Sequence, residues 1–187
     1  MRKSTITFAI LAMSFLSLTS CKDNKKEEHH TTVENNKSIE TTHSENKETT
    51  QIIEAYLQLK NGLVADDKEA ATKGANQLNT AFTEFDMKQL DGNTHEKYMK
   101  IYNSAKEHAA HISTSEIAHQ REHFIDLTSD ISDLIALLGT SKTLYQDFCP
   151  MANEFKGAYW FSEVKGIKNP YFGAKMMTCG AVKKQIN

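Results

Sequence analysis

Apolar residues recur every three or four positions between residues 51 and 139, which is the spacing of one face of an α-helix. Four such segments follow one another, separated by short polar stretches, and no proline lies between residues 51 and 149. Four amphipathic helices with short connections predict an all-α fold, a four-helix up-down bundle. The apolar positions are Ile52, Ile53, Tyr56, Leu57, Leu59 and Leu63, then Ala70, Ala71, Ala75, Leu78, Ala81, Phe82 and Phe85, then Tyr98, Ile101, Tyr102, Ala105, Ala109 and Ile112, then Ile117, Phe124, Leu127, Ile131, Leu134, Ile135 and Leu138.

Three of the helix starts are marked by a capping residue followed three positions later by a glutamate, the spacing of a capping box. The pairs are Asp66 with Glu69, Asn93 with Glu96 and Ser113 with Glu116. We therefore expect the second, third and fourth helices to begin at these pairs.

The pattern changes in residues 140–187, which hold Pro150, Pro170, four glycines and Trp160, the only tryptophan of the chain. Aromatic and β-branched residues alternate with turn signals there. This composition predicts an irregular C-terminal tail, compatible with a short hairpin. Aromatic side chains usually serve to pack such a segment, so we expect the tail to pack on the bundle.

The N-terminus has the features of an export signal. Arg2 and Lys3 precede the apolar run 6–18, and small residues follow it, so residues 1–20 are predicted to be a signal peptide. Leu-Thr-Ser-Cys, residues 18–21, resembles the bacterial lipobox, whose cysteine becomes the lipidated first residue of the mature protein. The resemblance implies a lipid anchor at Cys21 on a bacterial membrane, with the outer membrane expected and the domain outside the cytoplasm. The alternative is an ordinary signal peptide that leaves Cys21 as a free thiol.

Residues 21–50 are predicted to form a flexible tether. After Cys21 their only large aliphatic side chains are those of Val33 and Ile39, which is too little apolar surface to offset the entropy of ordering the chain. Lys-Lys-Glu-Glu at 25–28 is similar to the surface-export signals of some Bacteroidetes lipoproteins. The folded domain is therefore expected over residues 51–187.

The net charge and the sequence motifs indicate which classes of function to expect. A formal net charge of −2 gives no reason to expect nucleic acid as a partner. Cys149 and a bundle histidine could act as a nucleophile and base, but no motif supplies an oxyanion hole or a substrate pocket and no glycine-rich phosphate loop is present, so we expect a binding protein and not an enzyme.

The tail is rich in sulfur. Thiolate and thioether are soft ligands that favour Cu(I). Two plainer roles stay open: the methionines could fill gaps in the core, and the cysteines could form a disulfide worth roughly 3–4 kcal/mol for a loop of about thirty residues. The sulfur-containing side chains are those of Cys149, Met151, Met176, Met177 and Cys179.

Histidines form two pairs on the predicted third and fourth helices. His108 and His111 are three residues apart, and His119 and His123 are four apart. Pairs at these spacings share one helix face, so each could chelate an ion, and the two pairs could approach each other across the turn at 113–116. Imidazole suits copper and zinc equally. His108 also lies on the apolar stripe, where a hydrogen-bonded core histidine is the alternative, and His119 falls on the polar face and is expected to be solvated.

Four stretches of the chain carry a family resemblance: YLQLKNGLVADDKEAA, HEKYMKIYNSAKEHAAHI, QREHFIDLTSDI and the tail from YQDFCPM to KMMTCGAV. They resemble one uncharacterised domain family. That family occurs as lipoproteins in Bacteroidetes and appended to periplasmic adaptor subunits of copper/silver efflux pumps. The tail is also similar to small heavy-metal-binding modules built on Cys-Pro-Met and Cys-Gly, although it lacks their Cys-x-x-Cys.

This resemblance implies a membrane-tethered metal-binding module for copper as Cu(I), ahead of zinc. It would act in copper binding, scavenging or delivery to a heavy-metal efflux system. The alternative is a metal-free interaction domain in which a Cys149–Cys179 disulfide staples the tail. By resemblance the ligand positions are Cys149, Met151, Met176, Cys179, His108, His111 and His123, and His119 lies outside the family motif.

Overall fold

The computed structural model describes residues 47–187, so the predicted signal peptide, Cys21 and the tether as far as residue 46 lie outside the described residues. Four helices come first and three strands follow. The first helix begins four residues before the expected domain boundary at residue 51. The elements are α1 Lys47–Val64, α2 Lys68–Glu84, α3 Gly92–Thr114, α4 Ile117–Leu138, β1 Leu144–Cys149, β2 Ala158–Ser162 and β3 Ala181–Ile186, with short 3-10 helices at Met87–Gln89 and Gly173–Met176.

The helices pack against one another in chain order, α1 on α2, α2 on α3 and α3 on α4, and α1 also contacts α4. Their apolar stripes meet in one core, in which Leu59, Leu78, Ile112 and Leu134 are fully buried. The four predicted helices and their helix-on-helix packing are confirmed. Within residues 47–187, no helix is both long enough and apolar enough to cross a membrane.

The helices α1 and α2 approach each other closely at a glycine. A Cβ atom on Gly74 would lie 2.4 Å from the backbone nitrogen of Leu59. No side chain tolerates such a contact, so glycine is the residue that allows the two backbones to touch. This contact fixes where α2 crosses α1.

The predicted capping pairs are wrong. The N-cap of α2 is Asp67, which accepts a hydrogen bond from the Ala70 N–H at 2.8 Å, and that of α3 is Asp91, which accepts from the Thr94 N–H at 2.9 Å. Glu116 precedes α4 without a side-chain cap. Asp66 cannot cap α2 because it lies in the left-handed region, at φ 56°, with its carboxylate directed to other partners.

Those partners join the bundle to the tail. Arg121 of α4 donates from Nη2 to the Asp66 carboxylate and to the Leu63 carbonyl, and from Nε to the Pro170 carbonyl at 2.8 Å. The second carboxylate oxygen of Asp66 accepts from the Ala174 N–H at 2.8 Å. Arg121 therefore connects α4 both to the α1–α2 turn and to the tail.

The all-α prediction is wrong for the tail, which forms an antiparallel three-stranded sheet in the order β2-β1-β3. The strand sequences LYQDFC and AYWFS are short and rich in aromatic residues, which suit a pleated, half-buried surface, whereas AVKKQI has no aromatic residue and is mostly exposed. Asp147 pairs with Trp160 and Phe148 with Ala181, and a bulge interrupts the β1–β3 pairing between Gln146 and Asp147. A hairpin was predicted within residues 157–173, but only β2 lies there: β2 pairs with β1, which precedes that stretch, and β3 completes the sheet.

The inner face of the sheet is part of the same core as the helices. Trp160 and Phe161 are buried, and the Phe161 N–H donates to the Tyr56 hydroxyl at 3.1 Å. Tyr56 also stacks on Phe124, with ring centroids 5.2 Å apart. The tail is thus an integral layer of the domain, as its aromatic residues indicated.

Candidate metal sites

The two tail cysteines meet, although thirty positions separate them in the chain. Cys149 is the last residue of β1 and is fully buried, and Cys179 lies just before β3 and is half-buried. Both are free thiols, and Cys149 lies close enough to Cys179 to raise the pKa of its thiol. This contact can serve a shared soft metal ion or a disulfide.

A loop built around Asn169 holds Cys179 in this place. The buried Asn169 side chain donates to the Cys179 carbonyl at 2.8 Å and accepts from the Tyr171 N–H at 2.8 Å. Gly180 follows at φ 138°, where an added Cβ would lie 2.8 Å from the Trp160 ring. The missing side chain lets the backbone turn from Cys179 into β3 against the core.

The neighbouring methionines contribute to this site mainly through their backbones. The Met176 carbonyl accepts from the Cys179 N–H at 3.0 Å. The hydrogen bond with Cys149 and burial raise the pKa of the Cys179 thiol, and the Met151 N–H offsets part of that rise. Metal binding here must therefore release thiol protons. The Met151 side chain is 39% exposed and Met176 is half-buried.

The four bundle histidines converge where α3 ends and α4 begins. Only two residues separate the helices, so both pairs lie at the same end. His123 is at the centre of the group: its ring stacks on His111, with centroids 4.5 Å apart, and lies edge-to-face with His119 at 4.6 Å. Metal-ligating atoms of His111, His119 and His123 all lie within 4.8 Å of one another. The expected approach across the turn is present.

Both ring nitrogens of His123 have histidine partners. Its Nε2 lies 3.1 Å from His119 Nε2, and its Nδ1 lies 3.1 Å from His108 Nδ1. Burial lowers the pKa of His123, and the neighbouring histidines lower it further. The ring therefore stays neutral at neutral pH, which is the form that binds metal ions.

Two carboxylates lie beside the histidines. Glu122 Oε2 is 2.6 Å from His119 Nδ1. Asp130, two helical turns beyond His123 on α4, interacts electrostatically with His108, and its Oδ2 is buried without a hydrogen-bond partner among the described residues. Burial raises the pKa of Asp130 to about 6. The buried carboxylate places negative charge behind His108.

The predicted ligand residues thus fall into two groups. Cys149 and Cys179 form one group, with Met151 and Met176 adjacent in sequence and hydrogen bonding, and His108, His111 and His123 belong to the other. Among residues 47–187, the one group of three potential His, Cys, Asp or Glu ligands found within metal-binding reach contains histidines only.

His119 joins this group, although its polar-face position argued for a solvated residue. It is 51% exposed on its side chain and still directs Nε2 at His123. The signal available in the sequence was its four-residue spacing from His123, which places both rings on one face of α4.

Comparison with known proteins covers the helical part. A family model described as "Protein of unknown function (DUF3347)" matches residues 52–143. The chain is therefore similar, over α1 to α4, to an uncharacterised domain family. The match includes all four clustered histidines and ends before β1, so the cysteine pair lies outside it. No curated protein and no solved structure matches the chain.

Proposed function

We propose that this protein is a metal-binding module of the bacterial cell envelope that holds copper as Cu(I). The observation that carries the proposal is the contact between the Cys149 and Cys179 thiols. Cu(I) is selected by thiolate and thioether ligands, and a pair of adjacent cysteines supplies the two strongest of them. The helical bundle and the sheet serve as the scaffold that keeps the two sulfurs together.

The surroundings of the thiols suit exchange of a metal ion. Cys149 lies in the core, whereas Cys179 and Met151 are accessible at the end of the sheet where β1 stops and β3 begins. A ligand pair that is closed on one side and open on the other can hold an ion and still be approached by an acceptor. Met151, in the loop that follows β1, is the candidate for a third, weaker sulfur ligand.

The loop that joins β1 to β2 lies at the same end of the sheet as the two cysteines. Three consecutive residues of it have left-handed backbones: Asn153, Glu154 and Phe155, at φ 52°, 54° and 65°. Such conformations are costly for residues other than glycine, so they point to a shape that the site requires. Phe155 is also 77% exposed and would face an incoming partner protein.

The cellular role follows from the sequence. A lipid anchor at Cys21 would hold the module outside the cytoplasm at a membrane, most simply the outer membrane. From there it would scavenge copper or deliver it to a heavy-metal efflux system, as the resemblance to domains appended to efflux adaptors implies. In this role the protein binds and transfers an ion and catalyses no reaction.

Titration with Cu(I) against a chromogenic chelator under anaerobic conditions tests the proposal. The reference is the purified chain carrying Cys21→Ser, so that Cys149 and Cys179 are its only thiols. We expect two free thiols and one tightly bound Cu(I) per chain. Cys179→Ser should abolish tight binding while leaving the far-UV circular dichroism unchanged, because Cys179 is only half-buried.

The alternative function is a metal-free interaction domain stapled by a Cys149–Cys179 disulfide, which the same thiol contact favours. It predicts no free thiols in the purified reference chain and a mass increase of two hydrogen atoms on reduction. The protein should also fail to compete with the chelator for Cu(I). Met99→Leu, on α3, provides a control for loss of a sulfur-containing side chain away from the thiols. Equal Cu(I) affinity in the reference chain and in Cys179→Ser would exclude the cysteine site.

A further inference from the structure

Two histidines of α4, His119 and His123, point their Nε2 atoms at each other. His119 Nε2 and His123 Nε2 are 3.1 Å apart. A tetrahedral zinc ion with Zn–N bonds of about 2.0–2.1 Å separates two of its nitrogen ligands by about 3.3 Å. The observed separation is already close to that value, so small ring rotations would admit an ion between the two atoms.

The opposite nitrogen of each ring is held by a further side chain. His119 Nδ1 is 2.6 Å from Glu122 Oε2, and His123 Nδ1 is 3.1 Å from His108 Nδ1. Histidines that bind metal commonly donate their second N–H to a carboxylate or another acceptor, which fixes the tautomer and the orientation of the ring. Both rings have this support, and their two Nε2 atoms face each other at the point where a metal ion would bind.

A third imidazole completes the group. His111, from α3, brings a ring nitrogen within 4.8 Å of those of His119 and His123. His111 and His119 are exposed and His123 is half-buried, so the point they surround is open to solvent. Three protein ligands with one position open to water or to an exogenous ligand is an established arrangement for zinc and is also accessible to copper.

We propose that His111, His119 and His123 form a second metal site, separate from the cysteine pair, for a divalent ion that prefers imidazole. His108 and Glu122 are positioning residues that hold His123 and His119. The site takes Cu²⁺ more tightly than Zn²⁺, because affinities for such ligands rise to copper along the first transition row. It goes beyond the Cu(I) function and does not depend on it.

The arrangement also determines which ring nitrogens of His123 and His108 carry a proton when a metal ion is bound. With a metal ion on His123 Nε2, its Nδ1 carries the proton and donates to His108 Nδ1. His108 then carries its own proton on Nε2, and Asp130 lies close enough to interact with that ring. His108 therefore acts through His123 and is not itself a ligand.

Calorimetric titration with Zn²⁺ at pH 7.5 tests this site. The reference chain carries Cys21→Ser and Cys179→Ser, which removes the cysteine pair from the competition for zinc. We expect one tight Zn²⁺ per chain. His119→Ala should weaken binding by more than the roughly 10–100-fold typical of losing an outer-shell partner, and Glu122→Gln should weaken it within that range.

Matched variants separate the site from general effects. His95→Ala removes an exposed imidazole near the opposite end of α3, and Glu107→Gln neutralises an exposed glutamate of the same helix. Both should bind Zn²⁺ like the reference, and all variants should keep its thermal unfolding temperature without metal. With Cu²⁺, electron paramagnetic resonance should show coupling to three nitrogens, reduced to two in His119→Ala. Equal zinc affinities for His119→Ala and His95→Ala would overturn the proposal, whatever the cysteine pair binds.

Discussion

Asp147 lies directly opposite Trp160 across the β1–β2 pairing, and both side chains are buried without a hydrogen-bond partner among the described residues. The unpaired atoms are both carboxylate oxygens and the indole Nε1. Burial raises the pKa of Asp147 to about 6, and the attraction of Lys60 limits the rise. Lys60 itself is fully buried and paired with Glu163 at 2.9 Å. The core beneath the sheet therefore holds a carboxylate that is poorly stabilised when ionised.

Asp147→Asn is expected to stabilise the domain above pH 6, by about 1–3 kcal/mol for a pKa displaced by about two units. The folded state binds the Asp147 proton more tightly than the unfolded chain, whose aspartate has a pKa near 3.8. Stability therefore falls as pH rises from about 4 to 6 and stays lower above that window. Asparagine removes this dependence.

Urea unfolding of the two proteins at pH 4 and at pH 8 measures the difference. The wild type and Asp147→Asn should be close at pH 4 and should diverge at pH 8. Asp133→Asn, on the exposed face of α4, should show no such divergence. A variant less stable than the wild type at pH 8 would mean that the carboxylate is satisfied by water.

Asn169→Ala is expected to loosen the loop that carries Cys179. The change removes three hydrogen bonds, to the Cys179 carbonyl and from the Tyr171 and Phe172 N–H groups, and leaves partly buried backbone groups unpaired. We expect a loss of about 2–4 kcal/mol in the free energy of unfolding. Under native conditions the Cys179 thiol should also react faster.

The rate of iodoacetamide labelling of Cys179, located by peptide mass, measures this effect. Asn103→Ala, at an exposed position of α3, is the matched control and should label at the wild-type rate. An unchanged labelling rate in a folded Asn169→Ala protein would show that the loop is held by other contacts.

The helices were predictable and the sheet was not, for a physical reason. An amphipathic helix repeats its apolar residues locally, as Ile52, Tyr56, Leu59 and Leu63 do in α1. The strand β3, AVKKQI, is mostly exposed and carries little apolar signal, so it becomes a strand only because β1 offers it a hydrogen-bonding edge. Such pairing between distant segments leaves no periodic trace in the sequence.

The candidate sites were predictable to the same extent: the histidine pairs could be found from helical spacing, and the contact between the cysteines could not. Helical spacing was enough to bring out both histidine pairs, and it also carried the information that His119 and His123 share a face. It could not reveal that Glu122 orients His119, because this depends on side-chain direction. The meeting of Cys149 with Cys179 depends on Asn169 and on the close approach at Gly180, both of which act through tertiary contacts.

Arg121→Met is expected to weaken the attachment of the tail to the bundle. Methionine keeps much of the apolar length of the side chain but loses the hydrogen bonds to the Leu63 and Pro170 carbonyls and the ion pair with Asp66. Asp66 is 40% exposed, so solvent screens the ion pair, and most of the loss should come from the two carbonyls. We expect a decrease of about 2–4 kcal/mol in the free energy of unfolding.

Trp160, the only tryptophan, lies in the sheet and reports on the tail, whereas circular dichroism at 222 nm reports mainly on the helices. In Arg121→Met the fluorescence transition in urea should precede the dichroism transition, because the tail loses its hydrogen bond from α4 to the Pro170 carbonyl, whereas the helices keep their packed apolar core. Arg121 holds the pKa of Asp66 below its usual value, so the ion pair contributes above about pH 4 and is lost on further acidification. The two proteins should therefore differ less at pH 3 than at pH 7.

Lys100→Met breaks an exposed ion pair with Glu96 and should change the free energy of unfolding by less than about 0.5 kcal/mol. A similarly small effect of Arg121→Met would contradict the role of Arg121 as the link between the tail and the bundle.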